Sequence, residues 1–244
     1  MSPPRFYKSL INSAAGLFGA RVVAADWGPR GVHATLTRAQ GRGFAPAVIF
    51  DIGASNGQWT RMCRRIFPES QYVLAEPLEA HREELQAMAH ADQRVSVWCG
   101  VAGAAPGTVQ LYDHGDQSSL LQSEDFPGRP TSVQSTTVDA LLASHGAAAP
   151  VLLKADVQGY ELEVLKGASR CLEQAEMLIL EVSFRRIYKD NPLAHEIVAY
   201  VGERGFQIYD VCSYLQRASD RELIQSDFVF VHESSALLNG EGWA

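Results

Sequence analysis

From residue 46 onward, short apolar runs alternate with segments of helical period, and this alternation leaves few folds open. Strands that take turns with helices build βαβ units, whose parallel sheet must be covered on both faces. "AVIFDIG" is the first strand. Trp59, Met62, Cys63, Ile66 and Phe67 then recur at helical spacing until Pro68 stops them, which predicts a helix starting directly after the glycine loop. "YVLAE" (Tyr72 to Glu76) is the second strand, and "PLEAHREELQAMAHAD" predicts a helix with proline in its first turn and Leu78, Leu85 and Met88 along one side. "RVSVWCGVAG" reads as the third strand. "VLLKAD", "VQGYELEVLKGASRCLEQ" and "MLILEVSF" give strand, turn with helix, and strand. "NPLAHEIVAYVGERG" predicts a helix with Leu193, Ile197, Tyr200 and Val201 on one face and Gly205 placed to end it. "FQIYDVC" and "DFVFVHE" are expected as an antiparallel pair, because the polar stretch between them is too short for a crossover helix. Between Gly103 and Pro150 the pattern loosens. "GTVQLYD" alternates like an extra strand, and "HGDQSSLLQSEDFPGRPTS" reads as a long polar loop, of the kind that is usually functional or disordered.

The chain of 244 residues, 46% hydrophobic and 20% charged, fits one globular domain with a terminal appendage. The expected division is a helical appendage or cap over residues 1–45 and the main domain over 46–244. "SLINSAAGLFGARVVAAD" after Arg5 and Lys8 has the outline of a secretory leader, but Asn12 and Ser13 thin the apolar stretch and Arg21 cuts it. It also falls short of the about 20 apolar residues a membrane span needs, so no transmembrane segment is expected. A net charge of −7 without any Lys/Arg cluster argues against a nucleic-acid partner and for a small one. Cys63, Cys99, Cys171 and Cys212 form no C-x-x-C pair, which fits reduced thiols and a cytoplasmic location. The oligomeric state is not read from the sequence, and a homo-oligomer is compatible with it.

In "VIFDIGASNGQW" a strand ends on an acid and runs into a loop of small residues, Gly53, Ala54, Ser55, Asn56 and Gly57, ahead of a helix. Strand, tight turn and helix N-terminus make a site for a nucleotide-like ligand at the carboxyl end of a sheet. A dinucleotide brings a diphosphate, which asks for bare N–H groups and a G-x-G-x-x-G run. Here the spacing is G-x-x-x-G, and Asp51 stands where a diphosphate would be repelled. S-adenosylmethionine makes the opposite demand, because it carries a sulfonium and an ammonium and no phosphate. On this reading Asp51 suits the cation, Gly53 admits the backbone to the methionyl part, and Gly57 lets the following helix pack close to the strand. Glu76, followed by Pro77 at the end of the second strand, is placed for the ribose hydroxyls.

Six segments in order, "VIFDIGASNGQW", "LAEPLEAHREELQ", "DQSSLL", "TTVDALL", "LLKADVQGYELEVLKGA" and "LILEVSF", resemble the FkbM family of S-adenosylmethionine-dependent methyltransferases over roughly residues 45 to 233. The resemblance implies an α/β architecture of the class I methyltransferase (Rossmann-like) type, a mostly parallel seven-stranded sheet with helices on both faces. It also implies O-methylation of a hydroxyl on a sugar, glycolipid or polyketide-type small molecule. Two positions depart from the family's usual pattern: Ser55 stands at the asparagine of its glycine loop, and Gln158 at its frequent glutamate. Gly100 and Val101, late in the third strand, and Ser118 and Ser119 of the "SSL" element join the expected cofactor contacts.

Three residues are candidates for the chemistry. Asp156 closes the "VLLKAD" strand beside the first, where it would hold the ammonium, orient the acceptor hydroxyl or accept its proton; the competing reading makes it only a helix cap. Glu181 interrupts an otherwise apolar strand, and a buried acid is costly unless paired or useful. His114 lies in the long loop, where an imidazole serves as base or ligand, although none of the seven histidines has a metal-ligand spacing. Lys154 is expected to neutralise one of the acids, and Glu161 to sit in a first helical turn for the helix dipole. No metal is required for methyl transfer. The competing functions are an NAD(P)-dependent oxidoreductase, opposed by Asp51 and the missing third glycine, and a non-catalytic nucleoside-binding relative, opposed by the intact Asp51, Gly53, Glu76 and Asp156.

Overall fold

The structure, a computed structural model, describes residues 31–146 and 149–240. The leader-like stretch before residue 31 lies outside them.

The five-residue strands β1 (Val48–Ile52), β2 (Gln71–Ala75) and β7 (Val151–Ala155) run parallel, with β1 between the other two. All residues of β1 and β7 are buried, as expected for strands covered on both faces. β3 (Val95–Trp98) extends the sheet beyond β2, and β8 (Ala175–Ser183) lies beside β7. The last strand, β11 (Leu223–His232), pairs antiparallel with β8 and with β9 (Phe206–Val211). The expected antiparallel end is therefore present. The two-residue β10 (Leu215–Gln216) shares that outer edge of β11 with β9, so the sheet has eight strands in seven positions.

Alternation along the strands sends side chains into two cores. Phe50, Ile52, Leu153, Leu178 and Leu180 face α4 (Val138–His145), α5 (Glu161–Lys166), α6 (Ser169–Leu172) and α7 (Ala194–Gly202). Ile49, Leu74, Leu152, Met177 and Ile179 face α1 (Val32–Gly41), α2 (Gln58–Ile66) and α3 (Glu79–Ala91). Leu36 and Ala39 of α1 are fully buried in this second core, and no residue of α1 lines the cavity described below.

The region after β3 differs from the sequence expectation. The third strand breaks at Cys99 and Gly100, and Val101–Ala102 becomes β4 of a separate three-stranded sheet with β5 (Gly107–Asp113) and β6 (Arg129–Thr136). β6 takes the end of what reads as polar loop, and α4 follows it, with Thr137 accepting the Ala140 N–H as an N-cap. The long loop is thus residues 114–128, held at both ends by the β5–β6 hairpin.

Candidate active site

The carboxyl ends of β1, β2 and β7 and the 115–120 stretch of the long loop enclose a cavity of about 290 Å³. Gly53, Ser55, Glu76, Pro77, Gly100, Val101, Ser118, Ser119 and Asp156 of the expected set line it. Ala54, Asn56, Gly57 and Asp51 do not.

The glycine loop is bonded mainly to itself and to β2. The N–H groups of Gly53 and Ala54 both donate to the Ala75 carbonyl, at 2.9 and 3.2 Å, and that of Gly57 donates to Ala54 at 2.8 Å. Ser55 N–H donates to Glu76 Oε2 at 2.8 Å, while Leu78 N–H donates to Oε1 at 2.9 Å. Glu76 therefore fixes the loop on one side and the turn into α3 on the other. Burial raises its pKa, against the lowering effect of these two N–H bonds. Asn56 Oδ1 accepts the Gln58 N–H at 3.1 Å, so this side chain serves the start of α2. Gly57, at φ +76, would place a Cβ 2.8 Å from Met88 and 2.9 Å from Leu85. The close approach it permits is to α3, whereas the expectation was the strand.

Asp51 is the largest departure from expectation. Its side chain points away from the cavity into the second core, where it is fully buried. Thr60 donates to its Oδ2 at 2.6 Å, and Lys154 Nζ lies 3.1 Å from Oδ1, which has no other partner among the described residues. The same ammonium donates to the Gly53 carbonyl at 2.7 Å and stands 3.9 Å from Asp156 Oδ2. Burial alone would lower the Lys154 pKa, but Asp51 and Asp156 raise it, and the ammonium stays charged. Asp51 thus acts on the cavity through Lys154, which ties β1, the glycine loop and Asp156 together.

Asp156 reaches the cavity with 38% of its side chain exposed. It does not cap the next helix. The turn ahead of that helix is fastened by Glu161, which is only 3% exposed and whose Oε1 accepts both Val157 N–H, at 2.9 Å, and Gly159 N–H, at 3.2 Å. Burial pushes the Glu161 pKa up to about 7. A folded-state value above the unfolded one means that the stabilisation is complete below about 4.5 and is lost as pH rises through about 7. Because one oxygen takes both bonds, Glu161→Gln keeps them. This variant is expected to abolish a loss of stability on the order of 3 kcal/mol between pH 4.5 and 7, read by urea denaturation at stepped pH. An unchanged slope would contradict the assignment.

Glu181 and His114 stand apart from the cavity. Glu181 faces Asp227 across the β8–β11 ladder and accepts from Gln225 Nε2 at 2.7 Å. Burial, then Asp156, Glu161 and Asp227, raise its pKa well above the ordinary carboxylate range. The His114 ring packs against Phe126, with centroids 5.6 Å apart, and is not among the lining residues. Ser118 and Ser119 mainly brace the loop: Ser118 Oγ accepts the His114 N–H at 2.8 Å, and Ser119 Oγ donates to the Gln158 carbonyl at 2.7 Å. Sequence reasoning missed His81, which lines the cavity with Nε2 3.5 Å from Ser55 Oγ and 3.7 Å from Asp116 Oδ1. It also missed Tyr160 and Gln117. Only the place of His81 in a first helical turn after "EP" was available as a signal.

The profile of the Methyltransferase FkbM domain matches residues 51–208, which span β1 to β9 and hold every cavity-lining residue. The chain belongs to the FkbM methyltransferase family. Among solved structures, the methyltransferase FkbM of Methylobacillus flagellatus KT is similar with a TM-score of 0.53 and 18% identity, over 82% of this chain and 48% of that one. This FkbM chain thus spans about half the length of that relative. Magnesium protoporphyrin IX methyltransferase (ChlM) of Synechocystis PCC 6803, solved with bound SAM, gives a TM-score of 0.47 and 14% identity over 95% of this chain and 86% of that one. No curated protein matches by sequence. The FkbM chain has the alpha/beta, mostly parallel architecture of class I methyltransferases. Among its described residues, no helix is long and apolar enough to cross a membrane.

Proposed function

We propose that this FkbM chain is an S-adenosylmethionine-dependent O-methyltransferase acting on a hydroxyl of a sugar, glycolipid or polyketide-type small molecule. The observation that carries the cofactor reading is the bonding of the glycine loop. Its N–H groups at Gly53, Ala54, Ser55 and Gly57 are taken by carbonyls and by Glu76, while carboxylates of Glu76 and Asp156 border the cavity. A diphosphate needs free donors there, so an oxidoreductase reading gains no support. A ligand with a sulfonium, an ammonium and ribose hydroxyls is matched by the acids. Glu76 would hold the ribose, Asp156 the cationic end, and Gly100 and Val101 the adenine side.

When bound, this cofactor supplies an electrophilic methyl group whose leaving group is a neutral thioether. The chain's task is then alignment and exclusion of water. Leu111, Leu120 and Val157 give the cavity apolar walls, and Asp156 is placed to orient the acceptor hydroxyl and take its proton. Glu181 lies on the strand beside Asp156, where burial and the neighbouring carboxylates raise its pKa. His114 takes no part in this scheme. The acceptor class rests on the family resemblance and on the acid beside the cavity.

The test is incubation with methyl-labelled S-adenosylmethionine and separate pools of sugars, glycolipids and polyketides. Label should appear in an alkali-stable methyl ether, and Asp156→Asn should slow its formation by about 100-fold. Label found on nitrogen, carbon or a carboxylate would refute the O-directed reading.

A further inference from the structure

Gln158 has φ +53, in the left-handed region, a conformation that strains any residue but glycine. Its side chain is tied at both ends. Nε2 donates to Asp156 Oδ1 at 3.1 Å, and the Tyr188 hydroxyl lies 3.0 Å from Oε1. An ionised carboxylate only accepts, so it dictates which end of the amide faces it. The amide oxygen is then turned to Tyr188, whose single phenol proton has it as the nearest of three acceptors, with Gln117 Oε1 at 3.1 Å the next. Burial, then Glu181, Glu161 and Asp156, keep the proton on that phenol. The ring is 2% exposed, and the Tyr188 N–H donates to Oδ1 of the fully buried Asn191 at 3.1 Å. The same hydroxyl lies 3.2 Å from the Gln117 carbonyl, so it also reaches the loop over the cavity.

We propose that Tyr188 and Gln158 are positioning residues: the phenol sets the Gln158 amide, and the amide holds the Asp156 carboxylate toward the cavity. This rests on the reading of Asp156 as the acid at the cofactor's cationic end. The charged groups around Asp156 are Lys154 from its own strand, Glu161 from α5, Glu181 from β8 and Asp227 from β11. Released from the amide, the carboxylate turns toward Lys154, the cation among them, and away from the ligand. The glutamine is retained in a strained conformation because glycine, which fits the backbone, has no amide to supply.

The test compares the wild-type chain with Tyr188→Phe, Gln158→Gly and Asp156→Asn, and with each of the first two combined with Asp156→Asn, by calorimetric titration of S-adenosylmethionine, with thermal melting alongside. Gln158→Gly relieves the backbone strain but gives up both amide bonds, so it should melt within about 2 °C of wild type. Yet it and Tyr188→Phe should each bind roughly 5- to 10-fold more weakly. Combined with Asp156→Asn, neither substitution should weaken binding further, because both act through that carboxylate. A tyrosine with only a packing role would lower the melting point and weaken binding in the Asp156→Asn background as well. If both variants bind like wild type while Asp156→Asn binds weakly, the relay is wrong and Asp156 keeps its role. If Asp156→Asn also binds like wild type, the role of Asp156 falls and the relay falls with it.

Discussion

Lys154→Met is expected to destabilise the fold by on the order of 3–5 kcal/mol, the usual result of leaving one member of a buried ion pair alone. Asp51 is fully buried, and Lys154 is its cationic partner at 3.1 Å. Methionine fills the same volume and removes the charge, so packing changes little and the loss reports electrostatics. Asp51 would retain the Thr60 hydroxyl at 2.6 Å but would be left without its counter-charge. The variant should also lose cofactor affinity, because the 2.7 Å bond to the Gly53 carbonyl goes with the ammonium. Urea denaturation gives the stability, and the double variant Lys154→Met with Asp51→Leu sharpens the reading. Replacing a whole buried pair by apolar groups is often neutral or stabilising, so the double variant should recover much of the loss. A single variant as stable as wild type would show that the pair does not hold the strands together.

The second large effect is expected at Gly53. Its φ of +77 disfavours any side chain, and a Cβ there would lie 1.9 Å from the Asp156 carbonyl oxygen. The obstacle is main chain, so rotamer changes cannot relieve it. Gly53→Ala should therefore drive β1 and β7 apart at their carboxyl ends, costing roughly 2–5 kcal/mol from backbone strain and overpacking together. Loss of binding should exceed loss of fold, because the displaced atoms carry Ser55 N–H, Glu76 and Asp156 with them. Melting and S-adenosylhomocysteine titration on the same sample check both. An alanine variant that binds normally would mean the loop tolerates a shift the present geometry forbids.

The strands that carry the site were legible because they are buried on both sides. β1, β7 and β8 are continuous apolar runs, interrupted only where a charge has a partner. The direction of Asp51 was less legible. It shares a face with Ile49, opposite Phe50 and Ile52, and that face is turned from the cavity. Its partner Lys154 lies in register with it on the neighbouring strand, and such a pairing between distant segments leaves no mark in local periodicity. β6 escaped for another reason. Arg129, Pro130, Thr131 and Ser132 are exposed, so the strand shows no apolar alternation and exists because β5 pairs along it. The Tyr188 contact with Gln158 joins two loops across the fold, and neither residue type announces it.

The proposal stands or falls on the cavity taking an adenosyl compound with an ammonium end and no diphosphate. Calorimetric titration of the wild-type chain with S-adenosylhomocysteine and, separately, with NAD tests it most directly. Saturable binding of the thioether is expected, with a rise in melting point of several degrees at about 100-fold excess over Kd, and no heat with NAD. Saturable NAD binding, with none by S-adenosylhomocysteine, would contradict it.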